Sequence, residues 1–210
     1  MIIPMKPDEI EKRSFKIIDN EAGDHGFPHD QWTIVRRMIH TTADFDYIRT
    51  VRFHPEAIRA GIRAIRQGQN IVTDTEMVRA GIRKADLESF GVKVFCFMNE
   101  PAVIRKSKET GITRAAAAAD HGALFTTDGI YTIGNAPTAL LRLTDLLEQG
   151  VARPALVIGL PVGFVNAAES KTALLNAGVP FISNLGRKGG SNVAASVVNA
   201  LIKLAIEEAT

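Results

Sequence analysis

Short apolar runs alternate along this chain with longer stretches in which apolar positions recur every three or four residues. Most of the runs at 50–53, 70–73, 92–97, 130–133, 155–158 and 179–182 are apolar on both sides, the pattern of strands covered by helices on both faces of a sheet. Between them the spacing predicts helices over 55–67, 75–80, 101–109, 113–121, 137–148, 167–176 and 191–208. The last is clearly amphipathic, with Val193, Val197, Leu201 and Leu204 on one side. Two helices precede the first strand. Pro7, Asp8 and Glu9 read as a first helical turn, followed by an inward stripe of Ile10, Ile17 and Ile18. A second helix spans about 30–41, with Trp32, Val35, Met38 and Ile39 turned inward.

Strand–helix alternation with short connections predicts an α/β fold, a single domain over 1–210 with a mainly parallel, Rossmann-like sheet flanked by helices on both faces. No linker or low-complexity tract divides the chain. The pentapeptide RAGIR occurs twice, at 59–63 and 79–83, but nothing else repeats at that period, so it reads as coincidence and not as an array.

Three strand-to-helix turns contain glycines: IGNAPTAL, IGLPVGFVNAAESK and NLGRKGGS. A glycine loop that opens a helix presents backbone N–H groups and a positive dipole end to one point in space. In a parallel sheet such turns lie at the carboxyl ends of the strands, where ligands bind. Three in succession point to one site for a large ligand with several negative groups. Nucleotide readings are poorly supported. No GxGxxG follows a first strand, and GRKGGS lacks the Gly-Lys-Ser/Thr ending of a phosphate-binding P-loop. A simpler anion site at Gly189, Gly190 and Ser191 stays physically possible.

Composition narrows the classes further. Of 210 residues, 46% are hydrophobic and 23% charged, with a net charge of +2, which is an ordinary globular balance. Basic and acidic residues are mixed, and Arg59, Arg63, Arg66, Arg79 and Arg83 fall at helical spacing, so no nucleic-acid surface is expected. The single cysteine, Cys96, excludes an internal disulfide and a cysteine zinc site, and its apolar surroundings predict a buried thiol. The amino-terminal MIIPMKPDEIEKR lacks the apolar core of a signal peptide, and no stretch is long enough to span a membrane. A cytoplasmic protein is the default expectation.

Few side chains stand out as chemical. No histidine pair forms HExxH, and His25 and His29 lie in a turn-rich loop where solvent exposure is expected. His40 sits near the carboxyl end of its helix, just before Thr41, itself a candidate substrate contact, and Thr42. It is either a capping or core-edge histidine or a usable acid. Ser14, on the inward stripe, either back-bonds to the Ile10 carbonyl or meets a ligand. Arg114 at a helix start opposes the dipole, which a ligand carboxylate would offset, although surface exposure is an adequate account. Asn135 is placed to cap the helix begun by Ala136 and Pro137. Lys171, Arg187 and Lys188 add positive charge beside the glycines, and Asp74, at a strand end, could accept from a ligand N–H.

Taken in order, IEKRSFKIID, RMIHTTADF, DTEMVRAGI, TRAAAA, IGNAPTALLRL, PALVIGLPVGFVNAAESK and GRKGGSNVAAS closely resemble the precorrin-8X (cobalt-precorrin-8) methylmutases of cobalamin biosynthesis, over nearly the whole chain. The resemblance implies an isomerase that moves a methyl group from C11 to C12 of a carboxylate-bearing tetrapyrrole. It implies no redox cofactor and no enzyme-bound metal, any cobalt being carried by the substrate. It makes His40 the acid and places Ser14 and Arg114 at the substrate, with the loops around Asn135, Gly163 and Gly189 holding the macrocycle. It also implies a homodimer with sites near the interface. A corrin carrier without catalysis would use the same loops and need nothing from His40.

Overall fold

Each of the six apolar runs forms a strand, and each helical period forms a helix, in a computed structural model that describes residues 6–209. The reading of the amino terminus rests partly on residues 1–5, which lie outside that range. In chain order the elements are α1 (Pro7–Ala22), α2 (His29–Thr42), α3 (Tyr47–Thr50), β1 (Val51–Phe53), α4 (Ala57–Arg66), β2 (Ile71–Thr73) and α5 (Glu76–Gly81). A 3-10 segment (Lys84–Phe90), β3 (Val94–Cys96), α6 (Pro101–Thr110), α7 (Arg114–Ala123), β4 (Ile130–Ile133) and α8 (Pro137–Glu148) follow. The chain closes with β5 (Leu156–Gly159), α9 (Ala167–Leu175), β6 (Phe181–Asn184) and α10 (Ser191–Glu207). The short α3 and the 3-10 segment had no periodic signal, because one or two turns are too short to show one.

The six strands lie in the order β1-β6-β5-β4-β2-β3. Five run parallel, and β1 pairs antiparallel with β6, Val51 opposite Asn184. Within the doubly wound class expected, the parallel strands follow the flavodoxin-like order. Their topological switch point lies between β2 and β4.

Alternate strand residues feed two cores. Ile71, Ile130, Leu156, Ile158 and Ile182 pack with α2, α4, α5 and α10 on one face. Val72, Tyr131, Ile133, Val157 and Phe181 pack with α6, α7, α8 and α9 on the other. The run of alanines in α7 lets that helix lie close, with Ala117 and Ala119 almost fully buried.

Two readings change. On α1 only Ile18 is buried, while Ile10 and Ile17 are about half exposed, so the stripe there is narrower than its spacing implied. The repeated RAGIR has a shared physical cause. A β-carbon on Gly61 would lie 3.1 Å from Leu201, and one on Gly81 would lie 2.8 Å from Ala195, both on α10. Each glycine lets its helix close on the same long helix from a different side.

Candidate functional site

At the switch point the chain supplies its own anion. Asp74, directly after β2, is 3% exposed. Its carboxylate accepts from the backbone N–H groups of Gly134 at 2.9 Å, Asn135 at 2.8 Å and Ala136 at 2.9 Å. These are the amides at the start of α8 that IGNAPTAL was expected to offer a ligand. Burial pushes the Asp74 carboxyl above its ordinary range, against the pull of the three N–H bonds. Asp74 is therefore a latch across the crevice, its two oxygens turned to the chain's own amides. The helix start it serves has Ala136 as its capping residue and no side-chain cap, so Asn135 does not play the capping part expected of it. Its side chain is left exposed beside the latch.

The loops after β5 and β6 are likewise tied to each other. A β-carbon on Gly189 would fall 2.3 Å from the Leu160 carbonyl oxygen, so only glycine allows this approach. The N–H of Gly190 donates to that carbonyl at 2.9 Å, and the N–H of Gly163 donates to the Arg187 carbonyl at 3.2 Å. Ser191 opens α10, and its hydroxyl meets that of Thr75 at 3.1 Å. Beneath them Lys171 is 1% exposed. Its ammonium donates to Asn184 Oδ1 at 3.1 Å and to the Lys188 carbonyl at 2.7 Å, and burial lowers its pKa to about 8. Lys171 thus braces the loop from inside and does not reach the rim where a ligand would lie.

One connection was illegible in the sequence. Lys188 Nζ reaches Asp44 at 2.5 Å and Asp46 at 2.7 Å, joining the turn after α2 to the loop after β6. These hydrogen bonds hold the ammonium up at about 12, and hydrogen bonds from Lys188 and Arg49 hold the Asp46 carboxyl low. The carboxyl end of α2 is thereby fixed near the carboxyl ends of the strands. Residues after Asp44 carry no recognisable motif, and the partner lies 144 positions away.

At that helix end, Ser14 and His40 line one pocket of about 340 Å³, together with Ile17, Glu21, Ala43 and Phe45. The imidazole is exposed and stands edge-on to Phe15, ring centroids 5.2 Å apart. Phe15 is itself flanked by the guanidinium carbons of Arg36 and Arg37 at 4.5 and 4.8 Å. Those cations are held by Asp19 and Glu11, and the bond from Arg37 keeps the Glu11 carboxyl low. Ser14 Oγ donates to the Ile10 carbonyl at 2.8 Å, the local back-bond foreseen as one of its two roles, while the residue also lines the pocket.

Other expected site residues lie elsewhere. Thr41 back-bonds to Arg37 and lines a separate cavity of about 600 Å³ with Arg83, Asn192 and Lys203. Arg114 is exposed at the first position of α7, on the opposite face of the sheet from α2. Thr113 caps that helix, and its hydroxyl donates to Thr138 at 3.0 Å. The histidine loop differs from expectation at one of its two histidines. His25 is half-buried and stacks on Trp32 at 3.8 Å, whereas His29, which begins α2, is exposed as expected.

Fold and site together define a doubly wound α/β protein whose switch point is sealed from inside and whose exposed imidazole shares a pocket with a hydroxyl. Comparison with known proteins agrees. A precorrin-8X methylmutase family model matches residues 9–204. A cobalt-precorrin-8 methylmutase of Priestia megaterium is 46% identical, over 97% of this chain and 90% of its own. A precorrin-8X methylmutase of Pseudomonas aeruginosa is 41% identical, over 91% and 93%. The crystal structure of a precorrin-8x methyl mutase from Thermus thermophilus superposes with a TM-score of 0.90 at 45% identity, covering 96% of this chain and 97% of that one. The chain belongs to the precorrin-8X methylmutase family and is an isomerase of the methylmutase kind. No helix among the described residues is long and apolar enough to cross a membrane.

Proposed function

We propose that this chain moves a methyl group from C11 to C12 of precorrin-8X or cobalt-precorrin-8, giving hydrogenobyrinate or cobyrinate in cobalamin biosynthesis, with His40 as general acid. The observation that carries the acid role is the exposed imidazole in a shared pocket with Ser14, held edge-on by Phe15. Imidazole is the side chain best suited to lend and recover a proton near neutral pH. The rearrangement leaves the atoms of the substrate unchanged in number. A proton lent to the conjugated ring selects the tautomer from which the methyl group migrates, and its return restores the enzyme. On this reading no resident metal or redox cofactor takes part, and cobalt, where present, travels with the substrate. Ser14 donates or accepts at the ring periphery, and Arg114 meets a carboxylate arm.

A homodimer belongs to the same reading. The exposed Ile10 and Ile17 of α1, beside the pocket, are surfaces that a second copy would cover. A cytoplasmic site of action is consistent with a biosynthetic isomerase. The deciding measurement is the visible spectrum of the C11-methyl substrate incubated with substoichiometric protein. Complete conversion is expected; a change limited to one equivalent would make the chain a carrier.

A further inference from the structure

The imidazole of His40 meets the ring of Phe15, but among the described residues no hydrogen bond holds either of its nitrogens. Its placement therefore follows the backbone of the last turn of α2, which ends two residues later at Thr42. That turn closes on Ala43, whose φ of 53° lies in the left-handed region that a residue with a β-carbon occupies only when its surroundings hold it there. The chain then folds back on itself. The Asp44 N–H donates to Thr42 Oγ1 at 3.3 Å, and the Asp46 N–H donates to Asp44 Oδ1 at 3.0 Å. Ala43 and Phe45, within this turn, form part of the wall of the pocket that Ser14 and His40 share.

A single ammonium fixes this turn to the sheet. Lys188 Nζ donates to Asp44 Oδ2 at 2.5 Å and to Asp46 Oδ2 at 2.7 Å, while Asp46 Oδ1 accepts from Arg49. Exposed ion pairs commonly contribute little, because two flexible side chains must be held in one geometry. Here the lysine stands on fixed backbone. Its carbonyl accepts from the buried side chains of Lys171 at 2.7 Å and Asn184 at 2.9 Å, and the next residue, Gly189, is packed against the Leu160 carbonyl. Beyond the turn the chain is tied again, the Leu185 N–H donating to the Thr50 carbonyl at 2.9 Å and β1 pairing with β6. Loss of the ammonium would thus loosen residues 43–46 and the end of α2 without unfolding the sheet.

We propose that Lys188, with Asp44 and Asp46, is a positioning clamp that sets where the His40 imidazole stands. The inference rests on His40 being the acid of the proposed methyl shift, and the test separates the two. The C11-methyl substrate is taken through single turnovers with an excess of full-length protein and followed by its visible spectrum. The proteins compared are wild type, Lys188→Met, Lys188→Arg, Asp44→Asn, His40→Ala, and His40→Ala combined with Lys188→Met. Hydrogenobyrinate affinity and urea unfolding are measured on each. A misplacement of about 1 Å can slow a reaction ~10²-fold, so Lys188→Met and Asp44→Asn should each lower the rate by roughly ten- to a hundredfold, with affinity and unfolding midpoint little changed. Lys188→Arg, which keeps a cation for both carboxylates, should recover most of the rate. In His40→Ala, which has no imidazole left to place, Lys188→Met should cost nothing further. Wild-type rates in Lys188→Met and Asp44→Asn overturn the clamp and leave His40 as the acid. Weaker affinity in Lys188→Met, with Asp44→Asn unaltered, also overturns it, because the lysine then meets the ligand. The same loss of rate with and without His40 overturns it too, since the three residues then act on something else. Wild-type turnover in His40→Ala overturns both. If Lys188→Met does not fold, Asp44→Asn combined with His40→Ala gives the same reading.

Discussion

The glycine loops and the α1–α2 pair handle their polar groups in opposite ways. In the loops, the amides of Gly134, Asn135, Ala136, Gly163 and Gly190 all end on acceptors within the chain, and the buried Lys171 is spent on Asn184 and a loop carbonyl. On α1 and α2, His40 and Ser14 face a pocket, and the neighbouring charges are neutralised in pairs around Phe15. Glycine-rich turns at strand ends are ordinarily taken as ligand cradles. Here most of their donors build the platform, and the hydroxyl and imidazole that share a pocket, Ser14 and His40, come from helices added ahead of the sheet.

The sharpest way to break this comparison is at His40. His40→Ala should lower kcat by ~10²–10⁴. Its unfolding midpoint should stay within about 0.5 kcal/mol of wild type, because the side chain is exposed. Wild-type turnover would remove the acid role and with it the functional half of the contrast. Asp74→Ala should do the reverse. Three N–H groups lose their acceptor, and a loss of ~2–4 kcal/mol in urea unfolding is expected. Product affinity should suffer only as far as the β4–α8 loop loosens. If Asp74→Ala unfolds like wild type yet abolishes binding, the carboxylate faces ligand and the latch is wrong.

Lys171 gives a pH signature. Its pKa falls from the ordinary 10.5 to about 8 on folding because of burial. Between those values the unfolded chain keeps a proton that the folded chain has released, so this group's contribution to stability rises with pH across the window. Thermal melts from pH 8 to 10 should show that rise in the wild type and a flatter profile in Lys171→Met. Equal slopes would mean that the lysine is not desolvated as its burial implies. The smallest effect belongs to Ser14→Ala. The lost back-bond, midway along α1, should cost under ~0.5 kcal/mol, so any rise in KM reports on the pocket. An unchanged KM would leave Ser14 a helix residue only.

How much was legible follows from distance along the chain. His40 and Ser14 could be singled out because helical period alone puts them near inward stripes, and the back-bond of Ser14 spans only four positions. Asp74 was noticed as a strand-end carboxylate, but its partners lie 60 or more positions on, and nothing local says that it turns toward them. Lys171 looked like a rim cation because it opens a helix after a glycine loop. Only the packing of α9 against β6 shows that it points inward, to Asn184.

Sequence alone determined the six strands and the longer helices, the doubly wound class and the family, because hydrophobic period and turn chemistry are local and motif order survives as text. It also marked three glycine turns as the organising feature of the second half. Only the tertiary structure decided what those turns hold. Their donors are claimed by Asp74, Leu160 and each other through contacts that cross the sheet, and such pairings depend on which loops the fold brings within hydrogen-bonding reach, a quantity no local pattern encodes.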